Sequence, residues 1–293
     1  MIRPLRIGHQ LSASTEGDPV ASAVRAEELG FDIVLAADHV GPGWAPIPIL
    51  SAIARMTDRI RLGTLVLNND MRNPVQLAWE ASTLDRLSNG RFELGLGAGH
   101  TPQEYDATGV DRAAPIDRKR RLVESVQVIR DLLDGTSVDH HGEYYRFERA
   151  RIDRSEQRRL PILVGGNGAT LLSNAGRHAD IVGLQGLGRT REDGHSHHVK
   201  WSTDRLDEQI EQVKRPGWEE RYYYAEILRL KGWMLTMNGD PDGAEQNYLA
   251  SLDWAREQQA KSWELRTSTS LARLWRQQGK GKDALELLKP VYD

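Results

Sequence analysis

The first two thirds of the chain alternate short apolar runs with amphipathic segments. The apolar runs predict six strands, at positions 4–11, 31–36, 60–67, 91–96, 161–164 and 180–184. Amphipathic patterns between these strands predict helices, among them Pro46–Met56, Pro74–Leu87 and Ala169–His178. The predicted strands are apolar on both faces, which is typical of a parallel sheet covered by helices. Such β–α units are found in doubly wound sheets and in (β/α)8 barrels, and six units are too few to complete a barrel.

The pattern changes near Pro216, after which every segment is helical in character. Four positions in this part recur with a displacement of 40 residues, Gly232, Ala244, Tyr248 and Ser251 becoming Ala272, Ala284, Leu288 and Val291. The small residues among them would let antiparallel helices pack closely, and the segment resembles tetratricopeptide repeats, whose usual period is about 34 residues. We therefore predict an α/β domain over residues 1–215 and two helical hairpins over residues 216–293.

Composition narrows the classes of partner and of chemistry. The 293 residues include 39 Lys or Arg and 42 Asp or Glu, so the net charge is −3. Without an excess of positive charge, the composition does not indicate binding to nucleic acid or anionic lipid. No apolar run is long enough to span a bilayer, and the first residues lack the apolar core of a signal peptide. Cysteine is absent, which excludes disulfides and Cys-ligated metals. We expect a cytoplasmic protein with neither a nucleic-acid nor a membrane partner.

Candidate chemistry lies where the predicted strands end, since α/β folds place their sites there. Asp38 and His39 follow the second strand, and the glycines of 95–99 end the fourth, before what we expect to be a long polar loop. His39 has the protonation range of a general acid or base, although it could simply bond a neighbouring loop. The glycines of 165–168 open a helix and favour a bound phosphate, the alternative being a turn without a ligand. The histidines of 195–198 are interpreted as a mobile loop, and no metal is expected.

Several stretches resemble the luciferase-like oxidoreductases, specifically the branch that depends on coenzyme F420, a deazaflavin. The matching stretches lie between about residues 3 and 214 and are Ala36–His39, Arg61–Asp70, Leu84–Gly99 and Pro161–Gly166. The resemblance implies a TIM-barrel-type (β/α) sheet with the deazaflavin bound at its C-terminal end. In this chain the sheet is expected to be truncated after six units and followed by the all-α segment, as in a fusion of two unrelated fragments.

The resemblance also implies roles for individual residues. Leu65 and Val66 would form a bulge behind the tricyclic ring, where the family often has a non-proline cis peptide. His39 would act as acid or base, and Trp44 and His100 would lie on the substrate side. The residues expected to bind the cofactor are Thr64, Leu65, Val66, Asn68, Gly97, Ala98, Gly99, Gly165, Gly166 and Asn167. Flavin mononucleotide (FMN) is the alternative cofactor.

Two departures from the sugar-phosphate dehydrogenases of the family bear on the substrate. A glutamate that follows the fourth-strand glycines in those enzymes is replaced here by His100, and a first-strand glutamate has no counterpart near Ser12 or Ala13. A sugar phosphate is therefore not supported, and we expect some other small organic substrate.

Four further interpretations concern assembly and function. The open edges of an incomplete barrel predict a homo-oligomer, or a protein partner bound through the helical repeats. A two-component FMN-dependent monooxygenase is the second enzymatic interpretation. A third is a non-catalytic scaffold with a peptide groove lined by Trp233, Tyr248 and Trp275, and a fourth is a fusion product without a selected function.

Overall fold

The computed structural model describes residues 6–11, 17–41, 43–166, 169–184, 187–190, 197–199, 208–209, 212, 224–257 and 261–292. These residues group into two compact units. The first unit contains the described residues of 6–199 together with 208, 209 and 212, and the second contains those of 224–292. Within the described residues, no helix combines the length and the apolar character needed to cross a bilayer.

The first unit is built on a parallel sheet, as the sequence predicted. Its strands are β1 (Gly8–Gln10), β2 (Ile33–Ala36), β3 (Arg61–Thr64), β4 (Leu67–Asn68), β5 (Phe92–Gly97), β8 (Ile162–Gly166) and β9 (Ile181–Leu184). Their order is β1-β2-β3-β5-β8-β9, and β4 continues the line of β3 beside β5. Every pair in this sheet is parallel. The carboxyl ends of the strands therefore share one edge, which is where the candidate chemistry lies.

Helices connect the strands and begin where local signals predict. They are α1 (Pro19–Glu28), α2 (Pro46–Met56), α3 (Pro74–Leu87), α4 (Pro102–Thr108), α5 (Pro115–Leu133) and α6 (Ala169–His178). The side chains of Asp18 and Asn73 cap α1 and α3 by accepting from backbone N–H groups of the first turn. Proline stands at the start of α1 to α5, where its missing N–H has no intrahelical acceptor to lose.

Helix α4 corrects the expectation of a long polar loop after β5. The segment is polar, but Pro102 starts a helical turn only a few residues after the glycines that end β5. Gly109 ends the helix in the left-handed conformation, with φ of 70°, and donates its N–H to the carbonyl of Tyr105. Seven residues are too few for a clear apolar periodicity, so the terminal proline and glycine were the only usable signals.

Two antiparallel hairpins accompany the parallel sheet. One pairs β6 (Val138–His141) with β7 (Arg146–Ala150), in the region where a small β excursion was predicted. The other pairs β10 (Leu187–Thr190) with β11 (His197–Val199); the sequence predicted neither strand and placed a mobile loop at residues 195–198. The loop prediction was wrong for His197 and His198, because they belong to β11, which pairs with β10 although its residues show no apolar pattern. His195 lies outside the described residues.

The core of the first unit lies on both faces of the sheet. All six residues of β5 are buried, including Phe92, Leu94 and Leu96. Apolar side chains of the helices, such as Leu77 of α3 and Leu122 of α5, belong to the same core cluster. The apolar character of the predicted strands thus corresponds to their burial in the core of this unit.

The second unit consists of four helices, α7 (Tyr224–Met237), α8 (Pro241–Glu257), α9 (Lys261–Gln277) and α10 (Gly281–Tyr292). Gly232 lets α7 approach α8, since a Cβ at this position would lie 2.8 Å from ring atoms of Tyr248. Tyr248 is buried and Trp275 is partly buried against the same cluster, while Trp233 is 52% exposed. The predicted groove lined by these three aromatic residues is therefore wrong, because the space left by Gly232 takes Tyr248 into the core.

Candidate active site at the carboxyl edge of the sheet

A bulge interrupts the strand formed by β3 and β4. The peptide bond between Leu65 and Val66 is cis, which confirms the predicted non-proline cis peptide. Residues 62–64 and 67–69 are buried, whereas Leu65 and Val66 are only half-buried. The bulge therefore presents two apolar side chains at the carboxyl edge of an otherwise buried strand.

Glycines of β5 make room for this bulge. A Cβ at Gly95 would lie 1.9 Å from the carbonyl oxygen of Thr64, and one at Gly97 would lie 2.6 Å from a methyl of Val66. The hydroxyl of Thr64 donates to the carbonyl of Gly95 at 2.9 Å and accepts from its N–H at 2.8 Å. The hydroxyl of Thr64 therefore has no hydrogen left to donate to a cofactor, and the predicted cofactor contact of Thr64 stays a prediction.

Asp38 and Arg72 fix the chain just after the bulge. The Asp38 carboxylate accepts from the backbone N–H of Asn68 at 2.7 Å and from both terminal nitrogens of Arg72, at 2.5 and 3.0 Å. Arg72 also donates to the Asn68 carbonyl at 3.0 Å. The side-chain nitrogen of Asn68 is buried and has no hydrogen-bond partner among the described residues. The contacts of Asp38 and Arg72, called here the Asp38–Arg72 clamp, thus position Asn68, a predicted binding residue. The side-chain nitrogen of Asn68 stays available as a hydrogen-bond donor.

His39, predicted as the acid or base, is paired with a carboxylate. Its Nδ1 lies 2.7 Å from Oε1 of Glu104, a residue of α4. The Glu104 side chain is only 5% exposed, whereas that of His39 is 42% exposed. The ring of His100 meets that of His39 edge to face, with centroids 5.8 Å apart. The structure therefore brings two predicted site residues together with a glutamate that the sequence analysis did not select.

Glu104 was missed because its segment was taken for a loop. Pro102 was the signal that could have found it, since a proline that starts a helix places Glu104 in the first turn, beside the end of β5. The pairing with His39 itself spans 65 residues and has no local signature.

Buried arginines and tyrosines support the loop between β5 and α5. Arg118 donates to the carbonyl of Ala98 at 3.2 Å, and burial lowers the pKa of its guanidinium. The Tyr105 hydroxyl donates to Asp70 at 3.1 Å, and burial raises the pKa of this tyrosine. Arg121 binds the other oxygen of Asp70, also at 3.1 Å. Arg118 thus holds Ala98, a predicted binding residue, while Tyr105 and Arg121 hold Asp70 of the segment that follows β4.

The remaining predicted residues lie on the same unit. Gly165 and Gly166 end β8 and pair with Gly183 and Leu184 of β9, directly before α6. Trp44 lies in the loop after β2 and is about half exposed. Gly99 lies between β5 and α4, and Asn167 lies outside the described residues. Over the part of the chain that the structure describes, no cluster of His, Asp or Glu is arranged to hold a metal ion.

Comparison with known proteins gives a consistent result. The sequence model of the family described as luciferase-like monooxygenase matches residues 5–280. An F420-dependent glucose-6-phosphate dehydrogenase of Rhodococcus hoagii is 30% identical over 317 aligned positions, which cover all of this chain and 90% of that protein. A protein of the same name from Amycolatopsis mediterranei is 37% identical over 187 residues, and there the chain spans only 56% of the relative's length.

Among solved structures, an F420-dependent secondary alcohol dehydrogenase in complex with an F420-acetone adduct is similar in fold. Its TM-score is 0.59 at 24% identity, over 72% of this chain and 66% of that one.

The matches also change one expectation. The family match continues to residue 280, so the resemblance does not end at residue 214, where the sequence analysis ended it.

Proposed function

The chain belongs to the luciferase-like monooxygenase family, and from this premise we propose that it transfers a hydride between coenzyme F420 and a small organic substrate. The observation that carries the proposal is the convergence, at one sheet edge, of the half-buried Leu65–Val66 bulge with the His39–Glu104 pair. The names of the relatives, which are F420-dependent enzymes, support the choice of cofactor.

The residues at this edge fit a flat, polar-rimmed cofactor. Leu65 and Val66 offer half-buried apolar side chains, and Gly97 lets the bulge lie close to β5. The side-chain nitrogen of Asn68 is buried and has no hydrogen-bond partner among the described residues, so it is a donor that a bound polar group would satisfy. Ala98, Gly99, Gly165, Gly166 and Asn167 complete the proposed binding set.

The chain's own residues then have distinct tasks. When bound, the deazaflavin supplies the carbon that exchanges a hydride. The bulge and the glycines of β5 orient the ring, and the Asp38–Arg72 clamp holds the backbone of Asn68. His39 exchanges a proton with the substrate, because its ring is partly exposed and imidazole nitrogens can act as general acid or base. Trp44 and His100 contact the substrate.

The substrate is a small organic molecule, and we propose that it is not a sugar phosphate. His100 stands where the sugar-phosphate dehydrogenases of the family have a glutamate, so the charge at that position is changed. The two relatives are named as glucose-6-phosphate dehydrogenases, but those names describe the relatives and not this chain. For the Amycolatopsis mediterranei relative, the match covers little more than half of that protein's length.

Titration of the purified protein with oxidised and reduced F420, followed by tryptophan fluorescence, tests the proposal. We expect saturable binding at micromolar concentration. Leu65→Asn removes apolar surface from the bulge and should weaken binding about tenfold, roughly 1.4 kcal/mol. Leu285→Asn is the matched control, since Leu285 is a 60% exposed residue of the second unit. Absence of binding at high micromolar cofactor would refute the proposal.

FMN is the second candidate cofactor, because the family as a whole is described as monooxygenases. The same titration with reduced FMN separates the two. Tighter binding of FMN, together with oxygen consumption in the presence of substrate, would favour the two-component monooxygenase. If neither cofactor binds, the non-catalytic scaffold becomes the better interpretation.

We further propose that the hairpins α7–α8 and α9–α10 are tetratricopeptide-like and form a domain separate from residues 1–215. The 40-residue repeat and the close packing at Gly232 support this assignment. Within the described residues, β1 and β9 each pair with a single strand of the sheet, which favours association into a homo-oligomer. Light scattering after size exclusion tests the association, and a clean monomer would contradict it.

A further inference from the structure

We infer that Glu104 is a positioning residue that selects the tautomer of His39, so that Nδ1 carries the hydrogen and Nε2 exchanges the proton. The geometry carries this inference, since Nδ1 of His39 lies 2.7 Å from Oε1 of Glu104. An ionised carboxylate can only accept a hydrogen bond, so the ring nitrogen that faces it must be the donor. The catalytic meaning of this arrangement rests on the proposed function, but the tautomer itself does not.

The environment of the pair favours a fixed arrangement. Glu104 is almost fully buried, and a buried carboxylate without a hydrogen-bond donor would be strongly unfavourable. On the other side, the edge-to-face contact with His100, whose interplanar angle is 88°, restricts rotation of the His39 ring. Nδ1 is therefore occupied, and Nε2 is the ring nitrogen left to exchange a proton, on a side chain that is 42% exposed.

The proton balance follows from this assignment. When Nε2 accepts a proton from a substrate group, that group's bond to hydrogen breaks and an N–H bond forms on the ring. The imidazolium produced keeps its Nδ1–H on Glu104, so the new positive charge lies beside a carboxylate. In the reverse direction the same N–H returns the proton. Glu104 touches neither cofactor nor substrate in this scheme and acts only through His39.

The decisive test is a tautomer measurement that needs no cofactor. Long-range ¹H–¹⁵N spectra of the whole chain report which nitrogen of each histidine carries hydrogen, and His39→Gln assigns the His39 signals. We expect the Nδ1–H form in the unmodified protein. Glu104→Met keeps a similar side-chain length without the carboxylate and should convert His39 to the Nε2–H form. Glu104→Ala removes the same acceptor and serves if the methionine variant does not fold.

Glu124→Gln is the matched control. Glu124 also pairs with a histidine, its Oε1 lying 2.8 Å from Nε2 of His140, but it lies on α5 and contacts the hairpin of β6 and β7. The Glu124→Gln variant should alter the ¹H–¹⁵N signals of His140 and leave those of His39 unchanged. A His39 that is already Nε2–H in the unmodified protein, or that remains Nδ1–H without Glu104, would overturn the inference.

Activity provides the second readout once a cofactor is bound. Glu104→Met should lower kcat about 100-fold while the cofactor affinity stays within about twofold, because the residue orients a base and does not bind the coenzyme. A parallel loss of cofactor binding would mean that Glu104 supports the fold of the site and would overturn the positioning role. Failure of the cofactor to bind the unmodified protein would instead refute the proposed function and leave the tautomer result standing.

Discussion

Replacing Gly95 by alanine tests the close packing that forms the bulge. The new Cβ would lie 1.9 Å from the carbonyl oxygen of Thr64 and 3.0 Å from its carbonyl carbon. Both atoms belong to the backbone of β3, so a side-chain rotation cannot relieve the overlap and the strands must separate. Overpacking in a core costs about 1–3 kcal/mol, occasionally more. Separation would also weaken the two hydrogen bonds between Thr64 and Gly95, each worth about 1 kcal/mol.

We therefore expect Gly95→Ala to lower the free energy of unfolding by about 3–5 kcal/mol. Urea denaturation followed by circular dichroism measures this quantity. Gly97→Ala is the matched comparison, because its Cβ would meet a methyl of the half-buried Val66 at 2.6 Å and that side chain can move. Its cost should be nearer 1 kcal/mol, with a measurable loss of cofactor affinity. A Gly95→Ala variant within 1 kcal/mol of the unmodified protein would show that β3 and β5 are not held together as argued.

Three other outcomes are expected. Arg91→Met should destabilise the protein by about 3–5 kcal/mol in urea, because the guanidinium is buried and donates to four backbone carbonyls and one hydroxyl; a loss below 1 kcal/mol would contradict this. Burial raises the pKa of Glu27, but the backbone N–H groups of residues 58–60 outweigh burial and hold it below its ordinary value. Its stabilisation is thus present above the ordinary glutamate pKa of about 4.3 and lost as pH falls through the folded value, so Glu27→Gln should cost stability at pH 7 and little at pH 3 in paired urea curves. Gly232→Ala would place a methyl 2.8 Å from the ring of Tyr248 and should lower the thermal midpoint of the helical signal of the second unit, whereas an unchanged midpoint would count against the close packing of α7 on α8.

The stretch Leu84–Gly99, one of the four that carry the family resemblance, has two separate tasks. Its first half, which ends at Arg91, ties β5 to the end of α2, since Arg91 donates to the carbonyls of Ala54 and Thr57. Its second half, with Gly95 and Gly97, accommodates the bulge at the opposite end of β5. A specific sequence motif therefore indicated the family correctly, although half of it stabilises the fold and lies away from the candidate site.

Most helices and parallel strands were predictable because their signals are local. Helix α3 begins at Pro74 and is capped by Asn73, and β5 consists of apolar residues and glycines apart from Glu93. The exceptions are short or polar: α4 has seven residues, and β11 pairs without an apolar pattern. Such elements depend on their neighbours, so their own sequence carries too little information.

The sequence by itself determined the order of the β–α units, and with it the edge at which His39, Asn68 and the glycines of β5 meet, because parallel strands end on the same side of a sheet. It also indicated the position of the cis peptide through a family resemblance. Only the tertiary structure decided what each side chain contacts there: the Thr64 hydroxyl is taken up by Gly95, and His39 is paired with Glu104 across 65 residues. Hydrogen bonds between distant residues depend on angles and distances of about 3 Å, which a one-dimensional pattern does not encode.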